Sequence, residues 1–157
     1  MDKNKFIEKS LEVCTSKNDL LVVTSNDIKQ LKKRAFESGL NRSRICCHKS
    51  DQCLVHEMII ALTAGVRFSP HKHTVSEESI HVIEGEINIL IFNDSGDVLQ
   101  TIELGANKTG KACFYRLPRN IWHTVFVRSD IAVVHEVTSG PLDPSKTEYA
   151  TFPSKGY

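Results

Sequence analysis

The chain has 157 residues, and its 20 lysines and arginines nearly balance its 19 aspartates and glutamates. This balance provides no bulk attraction to nucleic acid or to an anionic membrane surface, so we expect neither as a partner. No apolar run approaches the roughly 20 residues that a membrane-spanning helix needs. The length suits a single domain.

The N-terminal segment MDKNKFIEKSLEVC mixes both charge signs and lacks the apolar stretch of a signal peptide. We therefore expect a cytoplasmic protein. The five cysteines, an odd number without a framework spacing, fit reduced thiols in that compartment better than disulfides. The stretch CCHKSDQC lacks a paired CxxC spacing, which favours buried thiols over a zinc site built from cysteines.

The first forty residues predict helices. In FIEKSLEVC, apolar residues recur at a loose helical spacing between Phe6 and Val13. Further along, the segment DIKQLKKRAFESGL has apolar residues at i, i+3, i+7 and i+8. Its candidate N-caps are Thr24, Ser25 and Asp27, and Gly39 supplies a stop.

From Cys46 onward the pattern changes to short apolar segments separated by turn residues. These segments are CLVHEMIIAL, SIHVIEG, INILIF, VLQTIEL, CFYRL, WHTVFV and IAVVHEV. The stretch NDSGD between two of them predicts a hairpin. Short strands at this spacing, without helices between them, are typical of an all-β sandwich or small barrel. We predict a helical extension over residues 1–43, a β-barrel over 44–139 and an extended arm over 140–157.

Three of the seven histidines lie in the stretch FSPHKHTVSEESIHVIEG. Side chains alternate along a strand, so His71 and His73 would face the same side. Glu78 follows near the start of the next apolar run, whereas Glu77 and His81 have the wrong parity. Two imidazoles and a carboxylate that converge would suit Fe(II), Mn(II), Ni(II) or Zn(II). The alternative is a solvated loop with two surface histidines.

Two separated motifs resemble those of the cupin superfamily. The stretch from Gly65 to Gly85 reads G-x5-H-x-H-x4-E-x6-G and resembles the first cupin motif at every defining position. The stretch GKACFYRLPRNIWHTVFV resembles the second motif, with Pro118 and His123 at the family spacing. Three motif positions depart from the family pattern: Ala112, Asn120 and Val127.

The cupin resemblance implies a jelly-roll barrel, also called a double-stranded β-helix. It also implies one divalent transition metal per chain, held by His71, His73, Glu78 and His123. The metal would be Fe, Mn, Ni or Zn, and the sequence does not decide among them. Four protein ligands would leave about two positions on a six-coordinate metal for water or substrate.

Over about residues 20 to 153 the chain resembles the WbuC family of cupin-fold metalloproteins. The matching segments are PHKH, WHTV, the closing stretch HEVTSGPLDPSKTEYATFPS and the link ESGLNRSRICCH, which contains Arg42, Arg44 and His48. WbuC-like proteins are associated with bacterial surface-polysaccharide (O-antigen or capsule) biosynthesis, and their reaction is undefined. The resemblance implies a small-molecule substrate and a homodimer.

The sequence does not identify catalytic residues, but four residues are candidates for the pocket: Arg44, His48, Tyr115 and Glu136. His48 is included because the family resemblance marks it, and Tyr115 is open between core and pocket. Glu136 is an ionisable group in an apolar strand, where a carboxylate is rare without a partner. Two further histidines are predicted to be satisfied or exposed residues and not ligands: His56 and His135.

Three functions from different classes fit these observations. The first is a metal-dependent enzyme acting on a sugar or sugar nucleotide. The second is a non-catalytic metal- and sugar-binding cupin, since no general base or nucleophile is evident beside the predicted ligands. The third is an Fe(II)-dependent dioxygenase, which shares the pattern of three histidines and one glutamate. The identity of the bound metal separates the third from the others.

Overall fold

The structure is a computed structural model that describes residues 1–107, 109–141 and 143–152. No helix in these ranges is long and apolar enough to cross a bilayer. The elements in chain order are β1 Phe6–Glu8, β2 Val13–Ser16, α1 Ser25–Glu37, β3 Arg42–Cys46, β4 Val55–Thr63, β5 His71–His73, β6 Glu78–Glu84, β7 Glu86–Phe92, β8 Val98–Gly105, β9 Phe114–Leu117, β10 Trp122–Val127, β11 Ile131–Ser139, a 3-10 turn Pro144–Lys146 and β12 Thr147–Tyr149.

Two sheets pack face to face, which confirms the predicted all-β class. One sheet has the strand order β1-β2-β3-β4-β11-β6-β9, and the other has the order β12-β5-β10-β7-β8. The main core fills the space between the sheets and consists of Leu62, Val66, Ile80, Val82, Ile87, Ile89, Leu104, Tyr115, Leu117, Ala132 and Val134. Burial of this apolar surface stabilises the sandwich.

The alternation of side chains along β6 places one polar residue inside the sandwich. Ile80 and Val82 are buried in the core, and His81 and Ile83 face outward. Glu78 has the parity of the two buried residues and is itself only 7 % exposed. Because side chains alternate along a strand, the Glu78 carboxylate therefore points to the inner face of the sheet.

The helix α1 confirms the second predicted helix. It begins with a capping box, in which the Thr24 hydroxyl accepts from the backbone N–H of Asp27 and the Asp27 carboxylate accepts from that of Thr24. Leu31 and Ala35 are buried in a second core that also contains Ile45 of the larger sheet. The helix therefore covers the outer face of that sheet.

The first predicted helix is wrong. Residues Phe6–Glu8 and Val13–Ser16 form an antiparallel pair of strands, and β2 then pairs in parallel with β3. Phe6 and Cys14 are buried beneath α1. A loose apolar stripe has little intrinsic helical stability, and the open edge of β3 offers backbone hydrogen bonds instead. The predicted division at residues 43 and 140 stays a prediction, and residues 142 and 153–157 of the predicted arm lie outside the described ranges.

The stretch NDSGD forms the predicted hairpin between β7 and β8. The Asn93 side chain accepts hydrogen bonds from the backbone N–H groups of Ser95 and Asp97, and Gly96 has a φ of +81°. The turn is therefore closed by local side-chain bonds.

The five cysteines are free thiols. Burial raises the pKa of Cys14 and of Cys46, and it raises the pKa of Cys47 to about 11. These three thiols are therefore protonated at neutral pH, a state in which they neither bind metal nor react readily.

Candidate metal centre

The four predicted ligands come together between the two sheets. His71 and His73 lie on β5, and His123 of β10 pairs directly with His71 across the strands. One ring nitrogen from each of the three histidines lies within 4.8 Å of the others. Glu78 reaches across from the larger sheet, with Oε2 3.3 Å from His73 Nε2 and Oε1 3.4 Å from His123 Nε2.

Each of the three imidazole rings is held by a hydrogen bond at Nδ1. His71 Nδ1 lies 2.9 Å from the carbonyl oxygen of Ser69, and His123 Nδ1 lies 2.9 Å from that of Ile121. Because a carbonyl oxygen only accepts, Nδ1 of both rings carries a proton, which leaves Nε2 as the nitrogen available to the cluster. His73 Nδ1 lies 3.2 Å from the Thr147 hydroxyl on β12. Rings oriented in this way are typical of metal-binding histidines.

The charge states of His71 and Glu78 also suit a cation. Burial, followed by the neighbouring His123, lowers the pKa of His71 to about 4, so this ring is neutral at physiological pH. Burial alone would raise the pKa of Glu78, but contacts with His123 and His73 outweigh burial and hold that pKa below its usual range. A neutral imidazole and a buried carboxylate are the forms that bind a divalent metal. The residues present therefore fit a transition-metal ion.

Tyr115 does not line the open cavity but supports Glu78 from behind. Its side chain is buried in the core, and its hydroxyl donates a hydrogen bond of 2.5 Å to Glu78 Oε1. Burial and the Glu78 carboxylate raise the pKa of Tyr115 well above its usual range, so the hydroxyl remains a donor. Tyr115, which the sequence left open between core and pocket, is thus a core residue that also contacts the centre.

A cavity of about 1110 Å³ opens from the centre and contains the other three pocket candidates, Arg44, His48 and Glu136. It is large enough for a small organic ligand. His81 is exposed on the outer face, and His135 is half-buried with Nε2 3.8 Å from Glu57, so neither reaches the cavity lining.

His56 departs from its prediction as a satisfied or exposed histidine. It is 3 % exposed, its Nε2 has no hydrogen-bond partner among the described residues, and its ring stacks on His48 with centroids 4.0 Å apart. His56 and Met58 are both buried on β4, whereas Glu57 between them is exposed. The same strand parity that predicted the metal ligands could have placed His56 on the inner face.

Glu136 lines the cavity without a hydrogen-bond donor or ion pair among the described residues. Burial, followed by the nearby Glu78 carboxylate, raises the pKa of Glu136 to about 8. The carboxyl group is therefore largely protonated at neutral pH and can donate a hydrogen bond into the cavity.

Replacing Glu136 by glutamine is expected to stabilise the metal-free protein by about 4 kcal/mol at pH 8, and hardly at pH 4.5. In the unfolded chain this carboxyl loses its proton near pH 4.5, and in the folded protein it keeps the proton until about pH 8. The unfolded state thus binds fewer protons in this window, so wild-type stability falls as the pH rises through it and levels off above. Urea unfolding of Glu136→Gln across this range measures the difference. The exposed Glu37→Gln is the control, and a pH-independent difference would contradict the prediction.

Comparison with known proteins supports the fold and identifies the family. Residues 23–104, which are 82 of the 157 residues, match the family model described as a domain of unknown function (DUF6016). No curated protein matches the chain.

Two solved structures illustrate the structural similarity. Protein SO0799 from Shewanella oneidensis superposes with a TM-score of 0.56 at 16% sequence identity, covering 68% of this chain and 72% of that one. A single-residue variant of the oxalate decarboxylase of B. subtilis superposes with a TM-score of 0.50 at 16% identity, covering 62% of this chain and 24% of that one. The chain thus spans about a quarter of the oxalate decarboxylase. At these identities the similarity shows the fold alone, and it confirms the predicted cupin jelly roll. Because the family model covers more than half of its length, the chain belongs to the DUF6016 family.

Proposed function

We propose that this protein is a metal-dependent enzyme of the cupin fold that acts on a small oxygenated molecule. His71, His73, Glu78 and His123 would hold one divalent transition-metal ion. The observation that carries the proposal is the arrangement of three imidazoles around one buried carboxylate, with two of the rings held at Nδ1 by backbone carbonyl oxygens.

When bound, the metal would supply Lewis-acid chemistry, polarising a substrate oxygen or lowering the pKa of a bound water. Glu78 would partly neutralise the cation, and the Tyr115 hydroxyl would hold one Glu78 oxygen in place. Both residues are buried in or next to the apolar core, where electrostatic interactions are strong. The protein thus supplies a fixed donor set at one end of the cavity.

Glu136 favours an enzyme over a non-catalytic binding protein. It lines the same cavity as the metal ligands, and in the metal-free protein burial, followed by the Glu78 carboxylate, raises its pKa to about 8. Such a group can give a proton to a substrate oxygen or take one back.

A sugar or sugar nucleotide is the substrate class that we propose. The cavity of about 1110 Å³ accommodates a ligand of that size. The resemblance to WbuC-like proteins extends this to a role in bacterial surface-polysaccharide biosynthesis. The homodimer and the cytoplasmic location stay predictions.

Metal analysis of the untagged protein, purified without chelator, tests the metal assignment. We expect about one transition-metal ion per chain. Oxygen uptake by the Fe(II)-loaded protein then distinguishes the dioxygenase alternative, because a Lewis-acid enzyme consumes no oxygen. A protein that contains no metal, and that binds none of Mn, Fe, Ni or Zn when they are added, would contradict the proposal.

A further inference from the structure

The inner face of β3 breaks the apolar pattern of the sandwich. Arg42 and Arg44 occupy alternate positions of this strand and both line the cavity. Their neighbours in register on β4 are the apolar residues Leu62 and Ile60. Arg42 is half-buried and Arg44 is exposed, so both positive charges can be reached by a ligand that enters the cavity.

Neither guanidinium has an ion pair with a carboxylate in the part of the chain that the structure describes. Other arginines of the protein do have such partners, since Arg34 pairs with Glu8 and Arg116 pairs with Glu77. The positive charges of Arg42 and Arg44 are thus left for a group that enters the cavity.

The two arginines are also held in position. The guanidinium of Arg42 lies over the Phe68 ring, 5.2 Å from its centroid. Arg44 interacts with the Cys46 thiol and lies close enough to Glu136 to affect its protonation. Alternate strand residues are about 6.6 Å apart at Cα, so the two guanidinium groups can bind one oxyanion group together.

We propose that Arg42 and Arg44 form an oxyanion subsite that binds the phosphate or carboxylate group of the ligand. This role rests on the proposed function, in which the metal centre binds the other end of the same ligand. Arginine is suited to this task because its planar fork of N–H donors matches both groups. The metal centre and the subsite line the same cavity. The substrate is therefore an anion with metal-binding oxygens at one end and an acidic group at the other.

Titration of the metal-depleted protein with inorganic phosphate and with acetate, followed by calorimetry or by NMR of the arginine Nε–H signals, tests the subsite. We expect at least one of the two anions to bind. Arg42→Gln and Arg44→Gln should each weaken that binding about tenfold or more, and the double variant should lose it. Arg128→Gln removes the same charge from a position outside the cavity lining and should bind as the wild type does.

The subsite and the metal centre can be tested independently of each other. The variant Arg42→Gln/Arg44→Gln should bind Co²⁺ as tightly as the wild type does, whereas His71→Ala/His73→Ala should lose Co²⁺ and keep phosphate or acetate binding. If neither anion binds, if binding survives in the double arginine variant, or if Arg128→Gln weakens binding equally, the subsite is wrong. If Co²⁺ does not bind to the wild type but an anion does, the metal centre alone is wrong.

Discussion

Replacing His71 and His73 together by alanine is expected to weaken the binding of a divalent transition metal by more than about a hundredfold. Altering a residue that only supports a ligand costs roughly 10- to 100-fold in affinity, and this variant removes two of the four donors themselves. The protein should stay folded, because β5 is held through backbone pairing to β10 and β12. Neither imidazole belongs to the apolar core between the sheets.

Metal content by mass spectrometry and the thermal unfolding midpoint measure the two effects separately. His81→Ala/His135→Ala is the matched control, since it removes two histidines that do not line the cavity. The control should retain wild-type metal content. Full metal occupancy in His71→Ala/His73→Ala would show that the ion lies elsewhere.

Replacing Gly85 by alanine is expected to destabilise the protein by about 3 kcal/mol or more. Gly85 joins β6 to β7 with a φ of +77°, and an added Cβ would lie 2.3 Å from the carbonyl oxygen of Ile131 and 2.9 Å from the Cα of Ala132. Both atoms belong to the backbone of β11, where Ile131 and Ala132 pair with Thr63 and Leu62 of β4. The strand cannot move aside without losing these pairs.

Substitutions of two other glycines distinguish backbone strain from steric overlap as the cause of this loss of stability. Gly110 has a φ of +75° with open space around it, so Gly110→Ala measures the backbone strain alone, about 1 kcal/mol. Gly39 has neither a positive φ nor a close neighbour, and Gly39→Ala should be nearly neutral. Urea unfolding measures all three. A loss in Gly85→Ala no greater than that in Gly110→Ala would contradict the steric explanation.

Local rules predicted a large part of the fold. The segment before Ile28 contains a capping box, which depends on residues only three apart, and α1 begins there. The hairpin at residues 93–97 is closed by bonds within five residues. The helix prediction fails between Phe6 and Ser16 because β1 pairs with β2, and β2 in turn pairs with residues of β3 that lie 31 positions further along the chain. A local pattern contains no information about such a partner.

The metal centre, like the fold, was predicted in part from the sequence and in part not. The sequence by itself determined that His71 and His73 share one side of a strand, with Glu78 close behind, and its resemblance to two cupin motifs added His123 as the fourth predicted ligand. Only the tertiary structure decided what surrounds them. The hydroxyl of Tyr115 on Glu78, that of Thr147 beside His73 and the two arginines of β3 come from strands that are distant in sequence. Their contacts arise from the packing of two sheets, a long-range interaction that periodicity along one strand cannot specify.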